Sequence, residues 1–161
     1  TFVVGEDLGT VQPGVREAMA DGGMLGTKVW WFDPAPASWP TGNLATVTTH
    51  DLPTVAGVWH GTDGDEQMQS LLRSHAATAT DAATAALAVH RQVADSGCVL
   101  ALAAFDDLAG AIERPNRPGT VDSTNWSLRM SGSTERILDD EPGCSLIAAL
   151  SYRGGHPGSA D

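Results

Sequence analysis

The sequence predicts an α/β fold organised around a parallel sheet. Its four short apolar runs are continuous rather than alternating, the pattern of strands buried on both faces. The runs lead into acidic or His-Asp residues, and the stretches between them carry helix or turn punctuation.

The first run, Phe2-Val3-Val4, leads into Gly5-Glu6-Asp7-Leu8-Gly9-Thr10. Pro13 to Ala20 follows as helix, with Pro near its start and Gly22-Gly23 after its end. The second run, Thr27 to Phe32, leads into Asp33-Pro34, and the connection to Asn43 is too rich in Pro and Gly for a long helix. The third, Leu44 to Thr49, leads into His50-Asp51-Leu52-Pro53-Thr54. Helix is then expected from Asp65 to Asp95, with Leu71, Leu72, Leu87, Val89 and Val93 as its apolar face. A break near Thr78 to Asp81 supplies a fresh N-cap. The fourth run, Cys98 to Phe105, leads into Asp106-Asp107. Two further helices are expected at Ser133–Leu138 and Ser145–Tyr152, and the tail 153–161 is expected to be disordered.

The 161 residues are one domain's worth of material and short of a complete large barrel of ~250 residues. The chain opens Thr1-Phe2-Val3-Val4, inside an apolar run and without Met, which reads as a cut end. The formal charge is −11, with a single Lys, Lys28, so nucleic acid is excluded as a partner for want of a basic stripe. No run of 18 apolar residues predicts a membrane span. Cys98 and Cys144 have neither C-x-x-C spacing nor a nearby His cluster, and read as small hydrophobes in a reducing, cytoplasmic setting.

Four groups of residues could carry chemistry. Glu6 and Asp7 follow a strand, where side chains of a parallel fold converge on substrate; they could transfer protons or contact ligand, or merely form a turn. His50 and Asp51 occupy the same kind of position, where Asp51 could stabilise a developing cation or cap a helix with Pro53 in its first turn. The loop Arg114-Pro115-Asn116-Arg117-Pro118-Gly119-Thr120 is a rigid ligand-contacting loop or a plain turn. Five tryptophans, Trp30, Trp31, Trp39, Trp59 and Trp126, could stack on sugar rings or fill the core, and at least one of Trp30 and Trp31 belongs in the core because successive strand side chains point to opposite faces. Asp63, Asp65 and Glu66 near His60 read as a solvated helix start rather than a metal site, and no phosphate loop or Rossmann glycine pattern is present.

Four motifs taken together resemble the 4-α-glucanotransferases, the amylomaltases and disproportionating enzymes of the α-amylase superfamily. They are Val-Val-Gly-Glu-Asp-Leu-Gly-Thr-Val (3–11), Leu-Gly-Thr-Lys-Val (25–29), Ala-Thr-Val-Thr-Thr-His-Asp-Leu-Pro-Thr (45–54) and Glu-Arg-Pro-Asn-Arg-Pro-Gly-Thr-Val-Asp (113–122). The resemblance implies the C-terminal half, strands five to eight, of a (β/α)8 TIM barrel over residues 1–152. It implies Glu6 as acid/base, Asp51 as the transition-state-stabilising acid, and His50, Asn116, Trp30, Trp31 and Asp33 as sugar-binding residues, with no cofactor and no metal. The expected activity is retaining transfer of an α-1,4-glucan segment from a maltodextrin donor to glucose, maltose or a longer acceptor. The nucleophile's motif is expected before Thr1, so the chain is expected to need the N-terminal half of its own polypeptide and to be inactive alone. The run 121–126 lacks the Pro that the family tends to place before Asn-Trp. Two other classes stay open, a non-catalytic dextrin-binding protein and an α-glucan hydrolase of the same superfamily.

Overall fold

The computed structural model of the chain describes residues 1–121 and 124–152. The expected tail, 153–161, lies outside the described residues. Helix α1 (Val15–Asp21) is followed by strand β1 (Gly26–Val29), a single 3-10 turn (Pro36–Ser38), strand β2 (Asn43–Thr46), and helices α2 (Val55–His60), α3 (Glu66–His75) and α4 (Ala82–Ala94). Strand β3 (Leu100–Leu102) and helices α5 (Phe105–Leu108), α6 (Thr134–Asp139) and α7 (Gly143–Ser151) complete the order.

The sheet is parallel and its strands neighbour one another in chain order, β1-β2-β3, with Val29 level with Thr46 and Thr46 level with Leu102. The opening run adds a fourth line of chain to the β1 edge: Val4 bridges Leu25 in parallel, through Gly5 N–H to Leu25 O at 2.8 Å and Leu25 N–H to Val3 O at 2.9 Å. That run pairs too briefly to be a full strand.

The break expected in the long helical stretch falls where the capping chemistry is. The Asp81 carboxylate accepts from Thr84 N–H at 2.8 Å while the Thr84 hydroxyl oxygen accepts from the Asp81 backbone N–H at 3.2 Å, a reciprocal box that starts α4 and separates it from α3. Asp65 caps α3 by accepting from Met68 N–H at 2.8 Å. Helix α5 replaces the expected end of the fourth apolar run, so Asp106 and Asp107 sit in a helical turn rather than in a loop.

The core lies between one face of the sheet and the helices, where Trp30, Ala45, Val47, Val55, Val58, Leu72, Val89, Val93 and Leu146 are buried. The other face departs from the expectation of strands buried on both sides. Leu102 is 52 % and Val4 37 % exposed, because nothing among the described residues covers that face. Cys98 is buried and Cys144 partly so, with no disulfide between them. Among the described residues no helix is long and apolar enough to cross a membrane.

Candidate active site

Glu6, Leu8, Thr46, Thr48, Ala104 and Asp106 line a cleft of about 450 Å3 on the uncovered face, together with His50. The Gly5–Leu25 pairing puts Glu6 on this face and Asp7 on the other. Asp7 is then consumed structurally: its carboxylate accepts from Thr27 N–H at 2.8 Å and from Arg16 Nε at 2.7 Å. Burial pushes its pKa up, but these two donors outweigh burial and hold the carboxyl below its ordinary range. Glu6 makes no hydrogen bond among the described residues and is exposed to the cleft.

The turn that carries His50 and Asp51 is tied from several sides. Thr48 Oγ1 and Trp31 Nε1 both donate to Pro53 O, at 2.9 and 3.2 Å, and Asp51 N–H donates to Thr49 Oγ1 at 3.3 Å. The N-cap of α2 is Thr54, which accepts from Gly57 N–H at 3.0 Å, so Asp51 is not the cap and its carboxylate is left for other partners. Asn116 Nδ2 donates to Asp51 Oδ1 at 2.6 Å, and His50 Nε2 stands 3.3 Å from the same oxygen. Behind them Arg114 donates to Asp51 O at 2.8 Å and grips buried Asp63 with two bonds of 2.6 and 2.7 Å. Arg117 adds a contact of 3.4 Å to Asp63. Burial raises Asp63, but the Arg114 pair, with the Gly64 amide and Arg117, more than offsets that and leaves it low.

The structure thus brings together four of the expected residues, Glu6, His50, Asp51 and Asn116, from three separate loops, the first two lining one cleft and the last two bonded beside it. It does not bring the other three. Trp30 is fully buried, edge-on to Trp31 at 5.0 Å and to His75 at 5.2 Å, with Nε1 donating to Gln92 Oε1 at 3.4 Å. Trp31 is 7 % exposed and spends its N–H on Pro53. Neither presents a face to a sugar here, which corrects the expectation for both: in the turn that follows β1, Trp30 packs on His75 and Gln92 of the helix layer and Trp31 is tied to Pro53. Asp33 borders a separate depression of about 290 Å3 with Arg16 and Phe32, away from His50.

Four residues of the site were not singled out for these roles in the sequence. Arg114 and Asp63 pair across 51 positions, a separation at which no local pattern operates. Trp126 stands with its ring 5.1 Å from that of His50 and lines, with His50 and Asp106, a second cleft of about 730 Å3. Asp106 borders both clefts, and partial burial raises its carboxyl above the ordinary range.

This arrangement has the parts of an acid/base site. A free carboxylate faces the cleft, a second carboxylate is oriented by an amide and an imidazole, and hydroxyl-bearing threonines line the floor.

Known proteins resemble the chain over most of its length. The sequence family described as 4-alpha-glucanotransferase matches residues 1–135. The 4-alpha-glucanotransferases of Mycobacterium tuberculosis (strain ATCC 25618 / H37Rv) and Mycobacterium bovis are each 31 % identical over 92 % of this chain, and the match spans 27 % of theirs. The chain therefore covers about a quarter of the length of those relatives. Among solved structures, the amylomaltase from Corynebacterium glutamicum superposes with a TM-score of 0.73 at 24 % identity, over 92 % of this chain and 28 % of its own. The amylomaltase from Streptococcus agalactiae, solved with acarbose, gives 0.72 at 19 % identity, over 93 % and 31 %.

Proposed function

This chain belongs to the 4-alpha-glucanotransferase family, and on that footing we propose that it supplies strands five to eight of a (β/α)8 barrel carrying out retaining α-1,4-glucan transfer. The observation that carries the reading is the pairing of an unpartnered Glu6 on the cleft with an Asp51 oriented by Asn116 and His50. The exposed Leu102 and Val4 on the sheet's open face support the barrel, since a closed barrel buries such side chains in its interior layers.

In this mechanism Glu6 protonates the departing glycosidic oxygen as the sugar passes to a nucleophilic carboxylate contributed by the rest of a longer polypeptide. Glu6, now a base, then takes the proton from an acceptor hydroxyl as the covalent intermediate is broken. Asp51, oriented by the contacts on its Oδ1, stabilises the positive charge that develops on the ring. His50 donates a hydrogen bond to the sugar hydroxyls at the cleavage point. Maltodextrins are the donors, and glucose, maltose or longer dextrins the acceptors.

The test is to incubate a full-length polypeptide containing this chain with maltotriose. Both longer and shorter dextrins are expected, and Glu6→Gln is expected to cost at least ~10²-fold in rate. The 161 residues alone are expected to yield no transfer products. Near-normal turnover by Glu6→Gln would refute the assignment, and glucose release without longer dextrins would indicate a hydrolase.

A further inference from the structure

Of the five tryptophans, four are spoken for. Trp30, Trp31 and Trp39 are buried, and Trp59 carries the Arg73 guanidinium over its ring at 5.0 Å. Trp126 is 67 % exposed, an unusual state for the largest apolar side chain.

Its exposure is enforced by the backbone. Trp126 has φ 59°, the one positive φ outside glycine among the described residues. A bulky residue in this left-handed region is strained and persists only where its surroundings impose it. Trp126 N–H donates to Pro115 O at 2.8 Å; the neighbouring Asn125 accepts from Arg117 N–H at 3.0 Å and donates to Thr120 O at 3.2 Å. The loop that aims Asn116 at Asp51 is thus the same loop that props the indole beside His50, 5.1 Å ring to ring and tilted by 44°.

The indole opens onto the cleft of about 730 Å3, whose wall combines apolar Ile112, Leu128 and Met130 with polar Asp106 and Arg129. An apolar platform ringed by hydrogen-bonding groups matches a pyranose, which has C–H faces and a hydroxyl rim. His50 and Asp106 border this cleft and the one containing Glu6, so a linear ligand can run from one into the other past His50.

We propose that Trp126 is the stacking platform for an α-1,4-glucan segment extending past the transfer point, so that it sets preference for longer dextrins. This rests on the glucanotransferase reading above and adds a binding residue to it.

The experiment uses the full-length polypeptide with Trp126→Ala and Trp126→Phe, measured on maltotriose and maltoheptaose, with Tm recorded for each. Expected is a loss in kcat/KM of about tenfold on maltoheptaose for Trp126→Ala, smaller on maltotriose, mostly recovered in Trp126→Phe, with Tm unchanged. In a Glu6→Gln background, which binds without turnover, Trp126→Ala should weaken maltoheptaose affinity by a similar factor. Equal losses on both dextrins with a lowered Tm would mean that another part of the polypeptide covers the indole, and would overturn the proposal. No change on either dextrin would overturn it as well. An inactive Trp126→Ala that does not fold leaves the decision to Trp126→Phe and to the change in tryptophan fluorescence of the unsubstituted protein on adding maltoheptaose. If Glu6→Gln retains activity, the glucanotransferase reading itself fails; if it is inactive and Trp126 makes no difference, only the platform fails.

Discussion

The side-chain amide of Asn116 donates to Oδ1 of Asp51 over 2.6 Å, the oxygen that His50 Nε2 approaches at 3.3 Å, and Oδ2 has no hydrogen bond among the described residues. Hydrogen bonds to a carboxylate are worth roughly 1.5–3 kcal/mol, so Asn116→Ala should cost about tenfold or more in kcat/KM. Asn116→Asp should cost more, because a second anion at this distance favours protonation of one of the two acids. The pH profile separates the cases: Asn116→Asp should displace the acidic limb upward, and Asn116→Ala much less. Identical profiles would show that Asp51 does not depend on this contact.

Arg114 joins Asp51 O to the buried Asp63. Removing it strands a carboxylate with little access to water, and Arg114→Ala should destabilise by about 3 kcal/mol. Arg114→Lys keeps the charge but loses the two-pronged geometry, and should recover part of the stability and less of the activity. Because Asp63 is held low in the folded state, its contribution is present above the unfolded carboxyl pKa and lost as pH falls through the folded one. Urea titration at neutral and acid pH would register this; an unchanged midpoint for Arg114→Ala would contradict it.

Trp30 and Trp31 are neighbours with separable duties. Trp30→Phe removes buried volume far from the cleft and should lower stability by about 1–3 kcal/mol while leaving KM alone. Trp31→Phe also removes the N–H that holds Pro53 O, and with it one tie on the His50–Asp51 turn. It should lower kcat several-fold at constant KM, and a rise in KM for Trp30→Phe would revive the sugar-stacking role.

His90 and Asp107 meet in the interior with Nε2 and Oδ2 3.7 Å apart, neither atom otherwise partnered. Burial pushes His90 down to about 4, against its bond to Ala86 O, and pushes Asp107 up to about 7, against the Val55 amide. For His90 the unfolded state binds the extra proton, so its contribution to stability falls as pH drops from about 6.5 to about 4. For Asp107 the folded state holds the extra proton, so its contribution falls as pH rises from 3.8 to about 7. The two slopes oppose and largely cancel between pH 4 and 6.5. Relative to the unsubstituted protein, His90→Gln should therefore lose stability as pH rises through this window, and Asp107→Asn should lose it as pH falls. Three parallel curves of urea midpoint against pH would refute the opposition.

Much of the fold was legible because its signals are local. The Asp81–Thr84 box divides the long helix where Thr and Asp cluster, and Asp65 caps α3 a few residues from the chain it caps. Helix α5 was missed because Phe105 continues an apolar run and only the turn after Ala104 reveals the change of period. Of the site, the motifs singled out Glu6, His50, Asp51 and Asn116, all on loops that follow apolar runs.

By itself the sequence determined the α/β class with a parallel sheet, the break between α3 and α4 and the family, which rest on local periodicity, on a cap between near neighbours or on motifs read in series. Only the tertiary structure decided which of two adjacent residues does which job. Glu6 stays open while Asp7 is bound to Arg16 and Thr27, and Trp126 faces the cleft while Trp30 and Trp31 are turned into the core. Where each of these side chains goes depends on Arg16, Gln92 and Pro53, partners 9 to 62 positions away along the chain, a separation over which no local pattern operates.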